Sequence, residues 1–159
     1  MKITIICVGK LKEEYLRAAE KEYTKRLSSY IKLTITEVPE EKAPEGLSAK
    51  EKELLLEKES AKIEKAIGEG AYKIALAIDG TAISSEALAI RMSNLAVDGT
   101  SHMAFIIGGS LGLAPRLLNS CKMRLSLSQM TFPHQIARIL LLEQIYRAHK
   151  IINNEPYHK

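Results

Sequence analysis

Five short apolar runs alternate with helix-patterned segments along this chain, and that alternation narrows the possible folds more than any other feature of the sequence. The runs are Lys2–Val8, Ile31–Val38, Lys73–Ile78, His102–Ile107 and Met123–Leu127. Most are nearly continuous apolar stretches, as expected of strands covered on both faces. Ile31–Val38 instead alternates Ile31, Leu33 and Ile35 with Lys32, Thr34 and Thr36, the pattern of a half-buried strand. The third run is expected to break at Asp79-Gly80. Between the runs, Glu13–Tyr30 places Tyr15, Leu16, Ala19, Tyr23, Leu27 and Tyr30 on one helical side. Ser48 and Glu51 form a capping-box sequence that opens a helix to about Ile67, closed by Gly68 and Gly70. Further helices are expected from Ser84 or Ser85 to Val97, from Pro115 to Asn119 and from His134 to Ile152. Asn153–Lys159 reads as a polar tail. The fold class that follows is α/β: a parallel sheet with helices on both faces, in a single domain over residues 1–159.

Composition removes several classes of function. Cys7 and Cys121 belong to no metal-binding or redox spacing and read as reduced, core-type thiols, so no metal site is expected. Aromatic residues are 5% of the chain with no Trp, which argues against rows of rings stacking single-stranded bases. The apolar stretch Ile3–Val8 is too short for a secretion signal, and no run is long enough to span a bilayer; a cytoplasmic protein is expected. Charge is unevenly spread. Residues 1–79 carry 15 Lys/Arg against 15 Asp/Glu, whereas residues 80–159 carry 8 against 4, which is the whole net charge of +4. All four histidines lie in that basic half, where an anionic partner such as nucleic acid is expected.

Parallel sheets bind ligands at the carboxyl ends of their strands. Three such ends stand out: Leu76–Gly80, Ile107–Gly112 and Leu127–His134. Gly108, Gly109 and Gly112 let the backbone approach a ligand, or simply make a tight turn. No Gly-Lys-Ser/Thr follows them, and no GxGxxG register fits, which disfavours a nucleotide triphosphatase and a dinucleotide oxidoreductase. The loop Leu127-Ser128-Gln129-Met130-Thr131-Phe132-Pro133 is longer than a strand-to-helix connection requires. It offers main-chain groups to an adenine edge and apolar walls to its faces. Asp79 suits either a ribose contact or a turn. The last helix carries His134 and Arg138 one turn apart, then Arg147, His149 and Lys150. Its apolar residues run almost around the cylinder, so it needs partners on more than one side, and a twofold dimer would supply one.

Phe105-Ile-Ile-Gly-Gly-Ser-Leu-Gly-Leu113, Phe132-Pro-His-Gln-Ile-Ala-Arg138, Glu143-Gln-Ile-Tyr-Arg147 and the terminal Asn154-Glu-Pro-Tyr-His158 together resemble the RlmH family. These are SPOUT-class methyltransferases acting on N3 of a pseudouridine in large-subunit ribosomal RNA. The resemblance spans essentially the whole chain. It implies a deep trefoil knot in the C-terminal third, which the general rule against knots would not suggest. It further implies a homodimer with an active site built from both subunits, and the assembled ribosome as substrate. S-adenosylmethionine would be held by Leu76, Gly108 and the run Leu127, Ser128, Gln129, Met130, Thr131 and Phe132.

Within that resemblance, His134 is a candidate base or hydrogen-bond partner at the target nitrogen, or alternatively a helix-capping residue. Arg138 is a candidate for RNA phosphate or for a pair across the dimer, or else part of a solvated helix face. Tyr157 and His158, on a short tail, would reach over the cofactor pocket. The alternatives are a non-catalytic RNA-binding or ribosome-assembly factor and a SPOUT methyltransferase acting on transfer RNA. With only +4 of net charge and no appended RNA-binding domain, reliance on a preformed ribosomal surface fits better than capture of free RNA.

Overall fold

The computed structural model describes residues 1–158. Five strands, β1 (Lys2–Val8), β2 (Lys32–Val38), β3 (Tyr72–Ala82), β4 (His102–Ile107) and β5 (Met123–Ser126), form one sheet in the order β2-β1-β4-β3-β5. Every neighbouring pair is parallel. Between and after them lie helices α1 (Glu14–Leu27), α2 (Ala49–Ile67), α3 (Ser85–Val97), α4 (Pro115–Ser120) and α5 (His134–Ile152).

The two central strands explain the continuous apolar runs. β1 and β4 are buried on both faces from Ile3 to Val8 and from Met103 to Ile107, so alternate residues feed two separate cores. Ile3, Ile5, Cys7, Met103, Phe105 and Ile107 pack with Leu27 of α1, Met92 of α3 and Leu141, Leu142 and Ile145 of α5. Ile6, Val8, Ala104 and Ile106 face the other way, onto Ile63 and Ile67 of α2 and Leu117 of α4. Each such side chain taken fully out of water contributes roughly 1.5–3 kcal/mol. β2 lies at the sheet edge and keeps its half-exposed alternation.

Local signals hold at most boundaries. Ser48 and Glu51 make both hydrogen bonds of the capping box, and Ser84, not Ser85, caps α3 by accepting from the Ala87 amide at 3.1 Å. α1 stops at Leu27, three residues before the end that its spacing suggests. There the hydroxyls of Ser28 and Ser29 donate to the carbonyls of Lys25 and Arg26, competing with the helix for its last acceptors. The third strand also departs from expectation. Instead of breaking at Asp79-Gly80, it continues to Ala82, because residues 77–80 bulge outward and Leu76 and Thr81 both pair with Leu125. Gly80 is what permits this: a Cβ there would lie 2.8 Å from the carbonyl carbon of Arg124. The bulge takes Ala77–Asp79 out of the ladder at the level of Leu125 and sets them beside the turns that follow β4 and β5.

Candidate active site

Because all five strands are parallel, their carboxyl ends share one edge of the sheet, and the bulge of β3 meets the turns leaving β4 and β5 there. They enclose an open cavity of about 710 Å³, within the size range of small-molecule and cofactor sites. Leu76–Asp79 form one wall, Ile107–Leu113 a second and Leu125–Ser128 with Met130–His134 a third. The glycine turn owes its tightness to Gly108, whose missing Cβ would sit 2.5 Å from the Gly112 carbonyl oxygen. The long loop is ordered by its own serines: Ser126 Oγ donates to the Ser128 carbonyl at 2.9 Å, and Ser128 Oγ accepts from the Met130 amide at 3.0 Å. Ile78, Leu111, Met130 and Phe132 stand exposed around the opening. So many apolar side chains left in water around one concavity mark a place where a ligand or partner binds.

Of the residues expected to hold a cofactor, Leu76, Gly108, Leu127, Ser128, Met130, Thr131 and Phe132 line this cavity, whereas Gln129 lies exposed at the loop tip outside its wall. His134 also lines it, at the first position of α5. Pro133 precedes His134 at the helix boundary, and the His134 side chain reaches back over β1, where a Cβ on Gly9 would lie 3.5 Å from its Nε2.

Arg138 is elsewhere. One turn along α5 its side chain is 3% exposed, ion-paired with Glu20 of α1 and, at 2.9 Å, with Glu37 of β2. A solvated helix face is therefore the wrong description of it. Burial pushes Glu20 above the usual carboxylate range although the Arg138 charge pulls it down. The neighbouring Cys7 thiol is pushed by burial to about 12, which removes it as a nucleophile.

Tyr157 and His158 dock on the outer surface of α5 and α3, away from this chain's own cavity. The Tyr157 ring meets Tyr146 edge-on at 4.9 Å, with the Arg147 guanidinium 4.8 Å from its centroid. Its hydroxyl donates to Glu143 at 3.2 Å. Burial, the hydrogen bond to Tyr23 and the Glu143 charge raise the phenol to about 12, so near neutral pH it is a proton donor in hydrogen bonds and not a base. His158 Nε2 lies 2.6 Å from Glu86 and its Nδ1 3.3 Å from Arg147. Glu143 is the hub of this cluster, also accepting from Arg147 Nε at 3.0 Å. Spacing on the last helix accounts for the Glu143–Arg147 pair but gave no sign that Glu143 would gather the tail, since Tyr157 lies fourteen residues downstream. Glu40 was missed as well: it reaches the glycine turn from the loop after β2, 70 residues away in sequence.

The family model described as Predicted SPOUT methyltransferase matches residues 1–158. The chain belongs to the SPOUT methyltransferase family. Its curated relatives include proteins named ribosomal RNA large subunit methyltransferase H. The one from Clostridioides difficile (strain 630) is 57% identical, and that from Bifidobacterium animalis subsp. lactis (strain AD011) 53%, each alignment covering 100% of both chains. A solved structure of a probable methylase family protein from Haemophilus influenzae Rd KW20 shares the fold, with a TM-score of 0.57 over 99% of this chain and 70% of that one, at 15% identity. Among the described residues of this SPOUT methyltransferase, no three His, Cys, Asp or Glu side chains group as metal ligands. No helix is long and apolar enough to cross a membrane.

Proposed function

We propose that this chain is an S-adenosylmethionine-dependent methyltransferase that modifies N3 of a pseudouridine in large-subunit ribosomal RNA. It acts on the assembled ribosome in the cytoplasm, as a homodimer of single-domain subunits with the trefoil knot that the family implies. The observation that carries the reading is the convergence of the β3 bulge and the turns after β4 and β5 on one cavity walled by backbone and apolar side chains. An adenosyl group needs flat apolar walls and main-chain hydrogen bonds at its edge, and this cavity has both. The relatives named ribosomal RNA large subunit methyltransferase H suggest the substrate class.

When bound, S-adenosylmethionine supplies an electrophilic sulfonium methyl. The chain's own work is then positional and protonic. Leu76, Leu127, Met130 and Phe132 hold the apolar faces. The main chain of Gly108 and of Ser128 and Thr131 provides donors and acceptors, while Gln129, at the loop tip outside the wall, is left without a contact in this reading. His134 stands at the wall of the same cavity and accepts or shares the proton of the target nitrogen. Arg138, locked to Glu20 and Glu37, fixes the first turns of α5 and with them His134.

Distance supports the homodimer, given a tail that takes part in the reaction. Tyr157 packs near Glu143 and Arg147, nine to thirteen residues along α5 from His134, which is roughly 14–20 Å of helix. Within one subunit the tail and His134 cannot serve one reacting atom. In the homodimer, Tyr157 and His158 of a second copy close over the cavity of the first.

Calorimetric titration with S-adenosylmethionine, beside NADH as a control, tests the cofactor. Binding of the first alone is expected, and no heat with either would end the proposal. Assays on intact ribosomes and on free ribosomal RNA should show methyl transfer on the former. Mixing inactive His134→Ala with inactive Tyr157→Phe subunits should restore activity, since half-sites from different chains then meet. Persistent inactivity of dimers shown to be mixed would refute the composite site.

A further inference from the structure

The carboxylate of Glu40 stands beside the cavity with no cation within ion-pair distance among the described residues. Its Oε1 accepts from both the amide and the hydroxyl of Ser110, each at 3.4 Å. Ser110 lies in the middle of the glycine turn that forms the second wall. Two glycines leave room for this approach. A Cβ on Gly109 would lie 3.0 Å from Glu40 Oε1 and 3.1 Å from Val8 Cγ1, and one on Gly9 would lie 3.6 Å from Glu40 Oε2. The loop bearing Glu40 is itself anchored to α2. The Glu41 amide donates to the buried Glu59 carboxylate at 3.0 Å, and Lys62 pairs with Glu41 at 2.6 Å. A continuous strut therefore runs from Glu59 through Glu41 and Glu40 to the turn after β4.

We infer that Glu40 is a positioning residue that holds the Gly109–Ser110 turn in the conformation that receives the cofactor. The inference rests on the proposed cofactor site. A glycine-rich turn has many accessible backbone conformations, and a fixed acceptor on one of its amides reduces the ordering that binding would otherwise require. Glu40 touches no reacting atom in this role. Its effect falls on affinity, not on the chemical step.

The test pairs Glu40→Ala with Glu40→Gln, which keeps an oxygen acceptor for the Ser110 amide. Two quantities are read in the ligand-free and loaded protein: hydrogen exchange at Ser110, and S-adenosylmethionine affinity by calorimetry. Glu40→Ala should speed exchange at Ser110 and weaken cofactor binding on the order of fivefold to tenfold, as the loss of one hydrogen-bond acceptor would. Turnover at saturating cofactor should stay within about twofold, and Glu40→Gln should restore most of the affinity. Gly109→Ala, which crowds Glu40 off the turn, should weaken binding in the same direction. Unaltered exchange in Glu40→Ala, or an equal loss in the Ala and Gln variants, would overturn the assignment. If the unaltered protein itself fails to bind S-adenosylmethionine, the cofactor proposal falls, and the exchange measurement on the free protein still decides the role of Glu40.

Discussion

The two ends of α5 are built on opposite principles. At the amino end, His134 faces an open cavity whose walls are backbone and unsatisfied apolar surface, with Met130 73% and Phe132 36% exposed nearby. At the carboxyl end, Glu143, Tyr146, Arg147, Lys150 and the tail form a network of ion pairs and tilted rings whose charged groups are paired within their own chain. One end is arranged to receive something; the other is already satisfied. Between them Arg138 acts as a buried pin, tying the helix to α1 and β2. The contrast teaches that one helix delivers both sets of chemically capable side chains but cannot bring them together by itself.

Breaking the receptive end should have the largest effect. His134→Ala should slow methyl transfer on the order of 100-fold to 10,000-fold while leaving cofactor affinity nearly intact; wild-type turnover in single-turnover assays would remove His134 from the mechanism. Next comes the pin. Arg138→Met leaves Glu20 and Glu37 without their cation, and because both carboxylates keep some solvent the cost is about 1–3 kcal/mol. Denaturant unfolding should register that loss, and a change under about 1 kcal/mol would show that Arg138 is not structural. Deleting residues 154–159 comes third, and should lower activity more than melting temperature, because α5 packs on α1, α3 and the sheet without the tail. Equal losses would make the tail a structural clasp.

The smallest expected effect is a pH dependence. Glu86 is held at about 2, first by its own backbone amide, then by the Ser84 hydroxyl, then by His158. Its folded pKa lies below the ordinary carboxylate value of 4.5, so its contribution to stability is complete above that value and fades as pH falls toward about 2. Glu86→Gln should flatten the acid side of the stability profile slightly. Tail deletion should flatten it less, since His158 is the lesser cause; the reverse order would tie the tail more tightly to α3 than its contacts indicate.

Much of the architecture was legible because it rests on local rules. The strands β1 and β4, the Ser48–Glu51 box and the whole span of α5 follow from periodicity and capping, which act between residues near in sequence. The three segments that form the cavity were also legible, through the general tendency of parallel sheets to bind ligands at their carboxyl edge, although Leu76–Asp79 reach it from a bulge within β3 and not from a strand end. Errors arose where distant backbone intervened. β3 runs through Asp79-Gly80 because Arg124 of a later strand packs against Gly80, and α1 ends early through serine hydroxyls that periodicity does not register.

The sequence alone determined the alternation of elements, the two-sided burial of the central strands and the motifs that tie the chain to its family. Only the tertiary structure decided which polar groups are partnered. Arg138 looked solvated from its own helix and proved buried, because its carboxylates come from α1 and β2. Tyr157 and His158 looked free and proved docked, and Glu40 gave no signal until the glycine turn was folded beside it. Hydrophobic patterning is written residue by residue along one element, whereas an ion pair or a hydrogen bond belongs to two elements at once, and its existence depends on the fold that brings them within about 3 Å.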